Sequence, residues 1–337
     1  MQVSVERRTL RFREPMRTAF GVLSTRDVLE LTLDYGDGLP GRGEAAPLEP
    51  YDGVPLAIAA DALDAYRPVL ERADELGGPQ VLDACRSIAD LPQALAAVDM
   101  ALWDRAGRRE GKPVCALLAR DPAWRVPVNA VIGAEDRAGA ANAAARAAAA
   151  GFDCVKVKVG VGDDAGRVAA VRAAAGAEVA LRLDANGAWT VEQAIAAIQS
   201  LSPAGIELVE EPVHGTRALA QVRRAVAVRV AMDETAGEPG ALASGAADAV
   251  CLKLSRCGGI AGLLAAAELV RATGAEPYIA STFDGPLGIA AAVHAAAALA
   301  PLPPCGLATL ALFEGCEDTL PVTEGAIEVP EAPGLGI

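Results

Sequence analysis

The sequence contains few aromatic residues and fewer basic than acidic side chains. Aromatic residues make up 4% of the 337 residues, and 44 Asp and Glu stand against 30 Lys and Arg, for a formal net charge of −14 at pH 7. Proteins that bind nucleic acids or anionic membrane surfaces need clusters of basic residues. The composition therefore argues against both kinds of partner, and we expect neither a nucleic acid nor a membrane to bind this chain.

Paired cysteines and long apolar segments are also missing. The seven cysteines are scattered without a CxxC spacing, which is typical of reduced thiols rather than of a disulfide framework or a zinc site. The first residues, MQVSVERRTLRFREP, have no apolar signal core. The most apolar stretch, GIAAAVHAAAALAPL, is interrupted by His294 and is shorter than the roughly 18 residues that span a membrane. These features predict a cytoplasmic protein.

Short β-branched runs alternate with alanine-rich helical stretches from about Pro127 onward. The runs are VPVNAVIG, CVKVKVG, VALRLDANG, ELVEEPV, VRVAMDETA, DAVCLKLS, PYIASTFDG and, less regularly, CGLATLAL. This alternation predicts an α/β fold, a parallel (β/α)7-8 TIM-type barrel over residues 119–312. The active site of such a barrel forms at the carboxyl ends of its strands.

The segments on either side of the predicted barrel have a different pattern. VSVERRTLRF and VLELTLDYGD are typical of antiparallel strands, and helical stretches follow them. We therefore predict an N-terminal α+β capping domain over residues 1–118 and a C-terminal tail, residues 313–337, that packs on the cap.

Charged residues recur near the ends of the predicted strands, on one face of each strand. Strand side chains alternate between two faces, so Lys156 and Lys158 point the same way, as do the polar residues of the following strands. The residues brought to one mouth, in strand order, are Lys156 and Lys158, Asp184, Glu210, Asp233 and Lys253.

Three carboxylates that converge without a counter-charge repel one another. One Mg²⁺ ion resolves this repulsion, because it prefers carboxylate oxygens in octahedral geometry, and Mn²⁺ is a substitute. The flanking lysines then suit acid–base chemistry. The alternative is a set of interior salt bridges that fills the barrel without binding a metal.

Five motifs in order carry a family resemblance: KVKVG, LRLDANGAW, LVEEP, AMDET and CLKLSRCGG. Nearly the whole chain resembles the enolase superfamily, specifically its muconate-lactonizing subgroup. The resemblance implies that Asp184, Glu210 and Asp233 bind the metal and that Lys158 removes a proton α to a carboxylate. It also implies that Lys156 lowers the pKa of Lys158 and that Lys253 stands on the opposite face of a small carboxylate substrate.

Other residues are predicted to bind that substrate. Arg182 shares the face of Asp184 and suits a second carboxylate, while Ser281 and Thr282 supply hydroxyls in the stretch STFDGPLG. The stretch MRTAFGVLSTRD resembles the mobile loop that closes the active site in this family, and it offers Arg17 and Phe20 as contacts.

The sequence around the predicted eighth strand is used to predict the reaction. Dipeptide epimerases of the subgroup carry an Asp-x-Asp pair near the eighth strand, which CGLATLALFEG lacks, and this stretch resembles o-succinylbenzoate synthases instead. We therefore expect an o-succinylbenzoate synthase-type dehydratase of menaquinone biosynthesis. The alternatives are a dipeptide epimerase, an N-succinylamino acid racemase, a muconate-type cycloisomerase and a non-catalytic binding protein. The sequence is compatible with a homo-oligomer and does not define one.

Overall fold

The computed structural model describes residues 2–18, 21–133 and 135–337. In the N-terminal part, β1 (Gln2–Thr18), β2 (Gly21–Asp34) and β3 (Gly41–Ala45) form an antiparallel sheet in the order β1-β2-β3. Leu29, Leu31 and Leu33 alternate with polar residues along β2, so one face of the sheet is buried. Five helices follow: α1 (Glu49–Asp52), α2 (Leu56–Leu70), α3 (Gly78–Ile88), α4 (Pro92–Glu110) and α5 (Val114–Leu118).

Seven parallel strands then form one curled sheet in the order β11-β10-β9-β8-β7-β6-β5. They are β5 (Ala130–Ile132), β6 (Cys154–Lys158), β7 (Ala180–Asp184), β8 (Ile206–Glu210), β9 (Arg229–Met232), β10 (Ala249–Leu252) and β11 (Glu276–Ile279). The helices of this region are α6 (Arg137–Ala149), α7 (Asp164–Ala175), α8 (Val191–Leu201), α9 (Thr216–Ala225), α10 (Leu254–Cys257), α11 (Ile260–Ala272) and α12 (Pro286–Leu299). The α/β barrel prediction is therefore confirmed.

The eighth predicted strand is reduced to a two-residue link. Cys305 bridges Val128 and Gly306 bridges Ala280, both in parallel, so the link joins the segment before β5 to the end of β11. The first predicted strand, VPVNAVIG, is split into two. Its beginning belongs to β4 (Arg125–Pro127), which pairs with the C-terminal tail instead of with the barrel sheet.

The tail contributes β12 (Val322–Thr323) and β13 (Ala326–Glu328), which form a three-stranded sheet with β4 in the order β12-β13-β4. It also contacts the N-terminal part, where the rings of Phe313 and Phe12 lie 4.6 Å apart and the N–H of Leu335 donates to Asp104 at 2.8 Å. The tail thus contacts both parts of the chain, and the exact domain boundaries stay predictions.

A cluster of mostly small side chains and one tyrosine lies inside the barrel. Leu208, Ala231, Ala249, Cys251 and Tyr278 belong to one buried cluster inside the sheet, so little space remains below the carboxyl ends of the strands. Functional groups that reach a substrate must therefore lie at those ends. Among the described residues, no helix is both long and apolar enough to cross a membrane.

Candidate active site

Two lysines of β6 face an acidic centre. Strand register places Lys158 beside Asp184 of β7, which in turn lies beside Glu210 of β8. Lys156 Nζ donates to Glu210 Oε1 at 2.7 Å and lies 3.0 Å from Asp184 Oδ2. Lys158 Nζ lies 3.8 Å from the same Asp184 oxygen and contacts the side-chain oxygen of Asn186. The alternation along β6 therefore aims both amines at one group of carboxylates.

Three buried carboxylates end three neighbouring strands. Asp184 and Glu210 are the last residues of β7 and β8, and Asp233 directly follows β9. Oxygens of Glu210 and Asp233 lie with the Cys251 sulfur within 4.8 Å of one another, while Asp184 joins them through the shared amine of Lys156. All three predicted metal ligands therefore lie at the carboxyl edge of the sheet, as expected.

Burial and neighbouring charges shift the pKa values of the carboxylates in this centre. Burial raises the pKa of Glu210, and the charges of Asp184 and Asp233 add to this effect against the opposing pull of Lys156. Burial also opposes ionisation of Asp233, but the amines of Lys253 and Lys156 outweigh it and lower the pKa of Asp233 to about 2. A set of crowded, buried carboxylate oxygens fits a hard divalent cation such as Mg²⁺.

Lys253 approaches the acidic centre from the other side. It directly follows β10, is 8% exposed, and its Nζ donates to Asp233 Oδ2 at 2.8 Å. Burial alone would lower the pKa of this amine, but the Asp233 carboxylate raises it well above its ordinary value. Three strands, β7 to β9, separate the strand of Lys158 from the strand that precedes Lys253. The two amines therefore flank the carboxylates.

The sequence prediction missed two tyrosines at this centre. Tyr51 of α1 donates to Asp233 Oδ1 at 2.9 Å, and its ring lies 4.6 Å from Lys253 Nζ. Tyr278 of β11 donates to Glu210 Oε2 at 2.7 Å. Period-two alternation could have found Tyr278, because it shares a face with Thr282. No periodic signal marks Tyr51, which the N-terminal domain delivers from outside the barrel.

Loops that follow the carboxylates are held by polar contacts. Glu211 is fully buried and accepts hydrogen bonds from the backbone N–H groups of Asp233 (2.8 Å) and Thr235 (3.0 Å). Asn186 donates to Glu234 at 3.0 Å. Asn186 and Glu211 adopt φ values of 44° and 38°, a left-handed conformation that is costly without glycine and that often occurs at functional sites. These residues shape the loops that present Asp184 and Asp233.

The structure places Arg182, which the sequence predicts as a contact to a substrate carboxylate, inside the barrel and already paired. Arg182 is fully buried, and its guanidinium donates to Glu207 at 2.8 Å and to the carbonyl of Pro304 at 2.7 Å. It shares a face with Asp184 but lies two residues earlier on β7, and therefore deeper in the barrel. Its donors are satisfied by the barrel itself.

The structure brings Ser281 and Thr282 to the carboxyl end of β11, with their hydroxyls already engaged. Ser281 Oγ lies 2.9 Å from the hydroxyl of Thr309, and Thr282 donates to Asp284 at 2.8 Å. Their contact with a substrate stays a prediction. Phe20 lies outside the described residues, and of Arg17 only the backbone is described, paired with Val22.

Comparisons with known proteins match both parts of the chain. Residues 1–119 match the family model "Mandelate racemase / muconate lactonizing enzyme, N-terminal domain", and residues 139–337 match "Enolase C-terminal domain-like". A hydrophobic dipeptide epimerase of Enterococcus faecalis is 31% identical over 100% of this chain and 98% of its own length. An o-succinylbenzoate synthase of Thermobifida fusca is 39% identical, over 60% of this chain and 66% of its own length.

A solved structure of the dipeptide epimerase from Enterococcus faecalis, complexed with Mg and the dipeptide L-Leu-L-Tyr, has the same fold. It superposes with a TM-score of 0.89 at 30% sequence identity and covers 99% of this chain and 98% of its own. The similarity therefore includes both the N-terminal domain and the barrel.

Proposed function

The chain belongs to the enolase superfamily and has the domains of the mandelate racemase and muconate lactonizing enzymes. We propose that it is a Mg²⁺-dependent epimerase or racemase of an amino acid derivative. The observation that carries the proposal is the placement of Lys158 and Lys253 on opposite sides of one acidic centre. Inversion at carbon requires removal of a proton from one face and delivery of a proton to the other, and two flanking amines meet that requirement.

The chain's own residues divide this work. Lys158 removes the α proton on one face, and Lys253 donates a proton to the opposite face; in the reverse direction the two amines exchange roles. Lys156 contacts Asp184 and Glu210 and balances their charge beside the base. Tyr51 and Asp233 hold the Lys253 amine in place through the ring contact and the hydrogen bond.

Asp184, Glu210 and Asp233 would hold Mg²⁺. When bound, the ion supplies positive charge that stabilises the negative charge developing on the substrate carboxylate. The donor set supports this proposal, because all three groups are carboxylates that lie buried at one edge of the sheet. The Mg present in the related dipeptide epimerase structure also supports it.

The comparisons favour epimerisation over the dehydration expected from the sequence. The dipeptide epimerase of E. faecalis matches the whole chain, whereas the o-succinylbenzoate synthase of T. fusca matches 60% of it. Dehydration stays a second candidate because that shorter match has the higher identity, 39%. A single-face elimination needs only Lys158 as a base, so the two reactions make different demands on Lys253.

A deuterium-exchange assay tests the proposal. The purified protein with Mg²⁺ is incubated in D₂O with dipeptides, N-succinylamino acids and the cyclohexadiene precursor of o-succinylbenzoate, and NMR follows the α proton and the stereochemistry. We expect exchange and inversion of a dipeptide or an N-acylamino acid, both abolished by EDTA. Turnover of the cyclohexadiene alone would establish dehydration instead, and neither exchange nor turnover of any substrate would favour a binding protein.

A further inference from the structure

Two buried carboxylates of the N-terminal domain contact the first turns of two barrel helices. Asp99 on α4 is 1% exposed, and its Oδ2 accepts hydrogen bonds from the N–H groups of Ile260 (2.5 Å) and Ala261 (3.2 Å), which begin α11. Glu44 on β3 is fully buried, and its Oε1 accepts from the N–H of Gly285 (2.7 Å), directly before α12. Each carboxyl group thus satisfies N–H groups that a helix leaves unpaired at its start.

Glycine makes both contacts sterically possible. A Cβ atom on Gly259 would lie 2.5 Å from the Cβ of Asp99, and a Cβ atom on Gly285 would lie 2.4 Å from Glu44 Oε2. Both distances are shorter than real Cβ contacts, so any side chain at either position would displace the carboxyl group. The barrel backbone therefore leaves room for these two side chains.

The two contacted helices directly follow the segments that carry Lys253 and the predicted substrate contacts Ser281 and Thr282. Lys253 precedes α10, and two glycines connect α10 to Ile260. Ser281 and Thr282 lie between β11 and Gly285. One end of each segment is therefore fixed by a barrel strand, while the other end is fixed by a carboxyl group of the N-terminal domain.

The surroundings of Glu44 indicate that its contact is a hydrogen bond rather than an ion pair. Within the described part of the chain, the second oxygens of Glu44 and Asp284 are buried and have no hydrogen-bond partner. Burial raises the pKa of Glu44 to about 8, with Asp284 and Glu30 adding to the effect and Arg26 opposing it. A neutral carboxyl group still accepts a hydrogen bond, so an amide of the same shape can replace it.

We propose that Glu44 and Asp99 are positioning residues for the reaction: Glu44 fixes the segment 281–284 for substrate binding, and Asp99 fixes the segment after Lys253 for proton transfer. The kinetic part of this inference rests on the proposed function, whereas the placement of the two segments does not. Asp104 provides a control, because this buried carboxylate of α4 contacts neither barrel helix and accepts instead from the N–H groups of Leu335 in the tail (2.8 Å) and Arg42 on β3 (2.9 Å).

Hydrogen exchange followed by mass spectrometry tests the placement on the full chain without Mg²⁺ or substrate. Losing a hydrogen bond to a buried group weakens local order, so we expect Glu44→Ala to speed exchange in residues 281–289 about tenfold and Asp99→Ala to do so in residues 254–263. Asp104→Ala should leave both segments unchanged. Unchanged exchange in the first two variants, or equal acceleration in the control, would overturn the proposal.

Kinetics on the epimerised substrate test the consequence. We expect Glu44→Ala to raise KM about tenfold with little change in kcat, and Asp99→Ala to lower kcat about tenfold. Glu44→Gln and Asp99→Asn keep an acceptor oxygen and should restore wild-type values within about twofold. Amide variants as impaired as the alanine variants would contradict the positioning role.

A folding defect and a failure of the proposed function can both be distinguished from a failure of this inference. If an alanine variant does not fold, Glu44→Met and Asp99→Leu replace it, because they fill the space without accepting a hydrogen bond. If the wild-type protein converts no substrate of the panel, the proposed function fails while the hydrogen-exchange result still decides whether the two carboxyl groups hold their segments.

Discussion

Lys158 and Lys253 lie in different surroundings although both flank the acidic centre. The Lys253 side chain is 9% exposed and bonded to Asp233, whereas the Lys158 side chain is 20% exposed and lies 3.8 Å from Asp184. Each amine serves one face of the substrate in the proposed reaction. Removing one amine should therefore leave the other able to exchange a proton on its own face.

Replacing either lysine tests whether each amine serves one face of the substrate. We expect Lys158→Ala and Lys253→Ala each to slow epimerisation at least about a thousandfold, since a positioned acid or base contributes factors of this order. Each variant should still exchange deuterium into one enantiomer, and the two variants should retain opposite enantiomers, as followed by NMR in D₂O. Full epimerisation by Lys253→Ala would contradict the two-base mechanism, because Lys253 would then not be needed to deliver a proton to the second face.

Arg182 is predicted to stabilise the barrel rather than to bind the substrate. Arg182→Met removes a buried guanidinium and leaves Glu207 without its partner, but that carboxylate is 27% exposed and stays partly hydrated. We expect a loss of about 2 kcal/mol in the free energy of unfolding, below the 3–5 kcal/mol typical of a fully buried pair, with KM unchanged. Urea denaturation and steady-state kinetics measure the two quantities. A large rise in KM without loss of stability would restore the substrate-binding role.

At the scale of strands and helices, the alternation of side chains between strand faces was the signal from which the sequence predicted the site. Period-two alternation assigns side chains to a face, and it correctly predicted that Lys156, Asp184 and Glu210 share one face of the sheet. It does not give depth along a strand, so the face that Arg182 shares with Asp184 suggested a substrate contact although Arg182 lies inside the barrel.

Contacts between distant segments carry no such periodic signal. Tyr51 reaches Asp233 from a four-residue helix of the N-terminal domain, 182 positions away along the chain. The eighth run resembles the other strands only in part, because its bridges to Val128 and Ala280 involve single residues of the link. Both features depend on contacts between segments that are far apart in the sequence, and local sequence does not encode those contacts.

The C-terminal tail is predicted to contribute to stability through its buried end. Leu335 is fully buried, and its N–H donates to Asp104 at 2.8 Å. Leu335→Ala leaves a cavity in this contact, so we expect a loss of about 3 kcal/mol in the free energy of unfolding. Leu269→Ala is the control, because Leu269 is 52% exposed and should cost less than about 1 kcal/mol. Equal effects of the two changes would show that the tail is not tightly packed.

At the scale of the whole molecule, the N-terminal domain and the barrel meet at buried acids, and their protonation links stability to pH. The pKa of Glu44 is raised by burial from 4.5 to about 8, and burial raises that of Asp99 from 3.8 to about 7. A raised pKa means that the folded state binds more protons than the unfolded state between the two values. The stabilisation is therefore complete at low pH and is lost as the pH rises toward 8.

One other group limits the useful pH range. Burial lowers the pKa of His294 from 6.5 to about 4, so this residue destabilises the folded state increasingly as the pH falls below 6.5. Measurements above that value isolate the carboxyl groups. Asp284 also has a raised pKa, mainly through burial, and faces Glu44, so its titration contributes in the same direction.

We therefore expect the free energy of unfolding to fall between pH 6.5 and 8, with Glu44 contributing about 2 kcal/mol, since each pH unit between the folded and unfolded pKa values is worth about 1.36 kcal/mol. Glu44→Gln cannot ionise, so its stability should fall less over the same range. Glu75→Gln, a change at an exposed carboxylate of the same domain, should retain the wild-type slope. Urea denaturation at several pH values measures all three proteins, and identical slopes for wild type and Glu44→Gln would show that Glu44 does not titrate in this range.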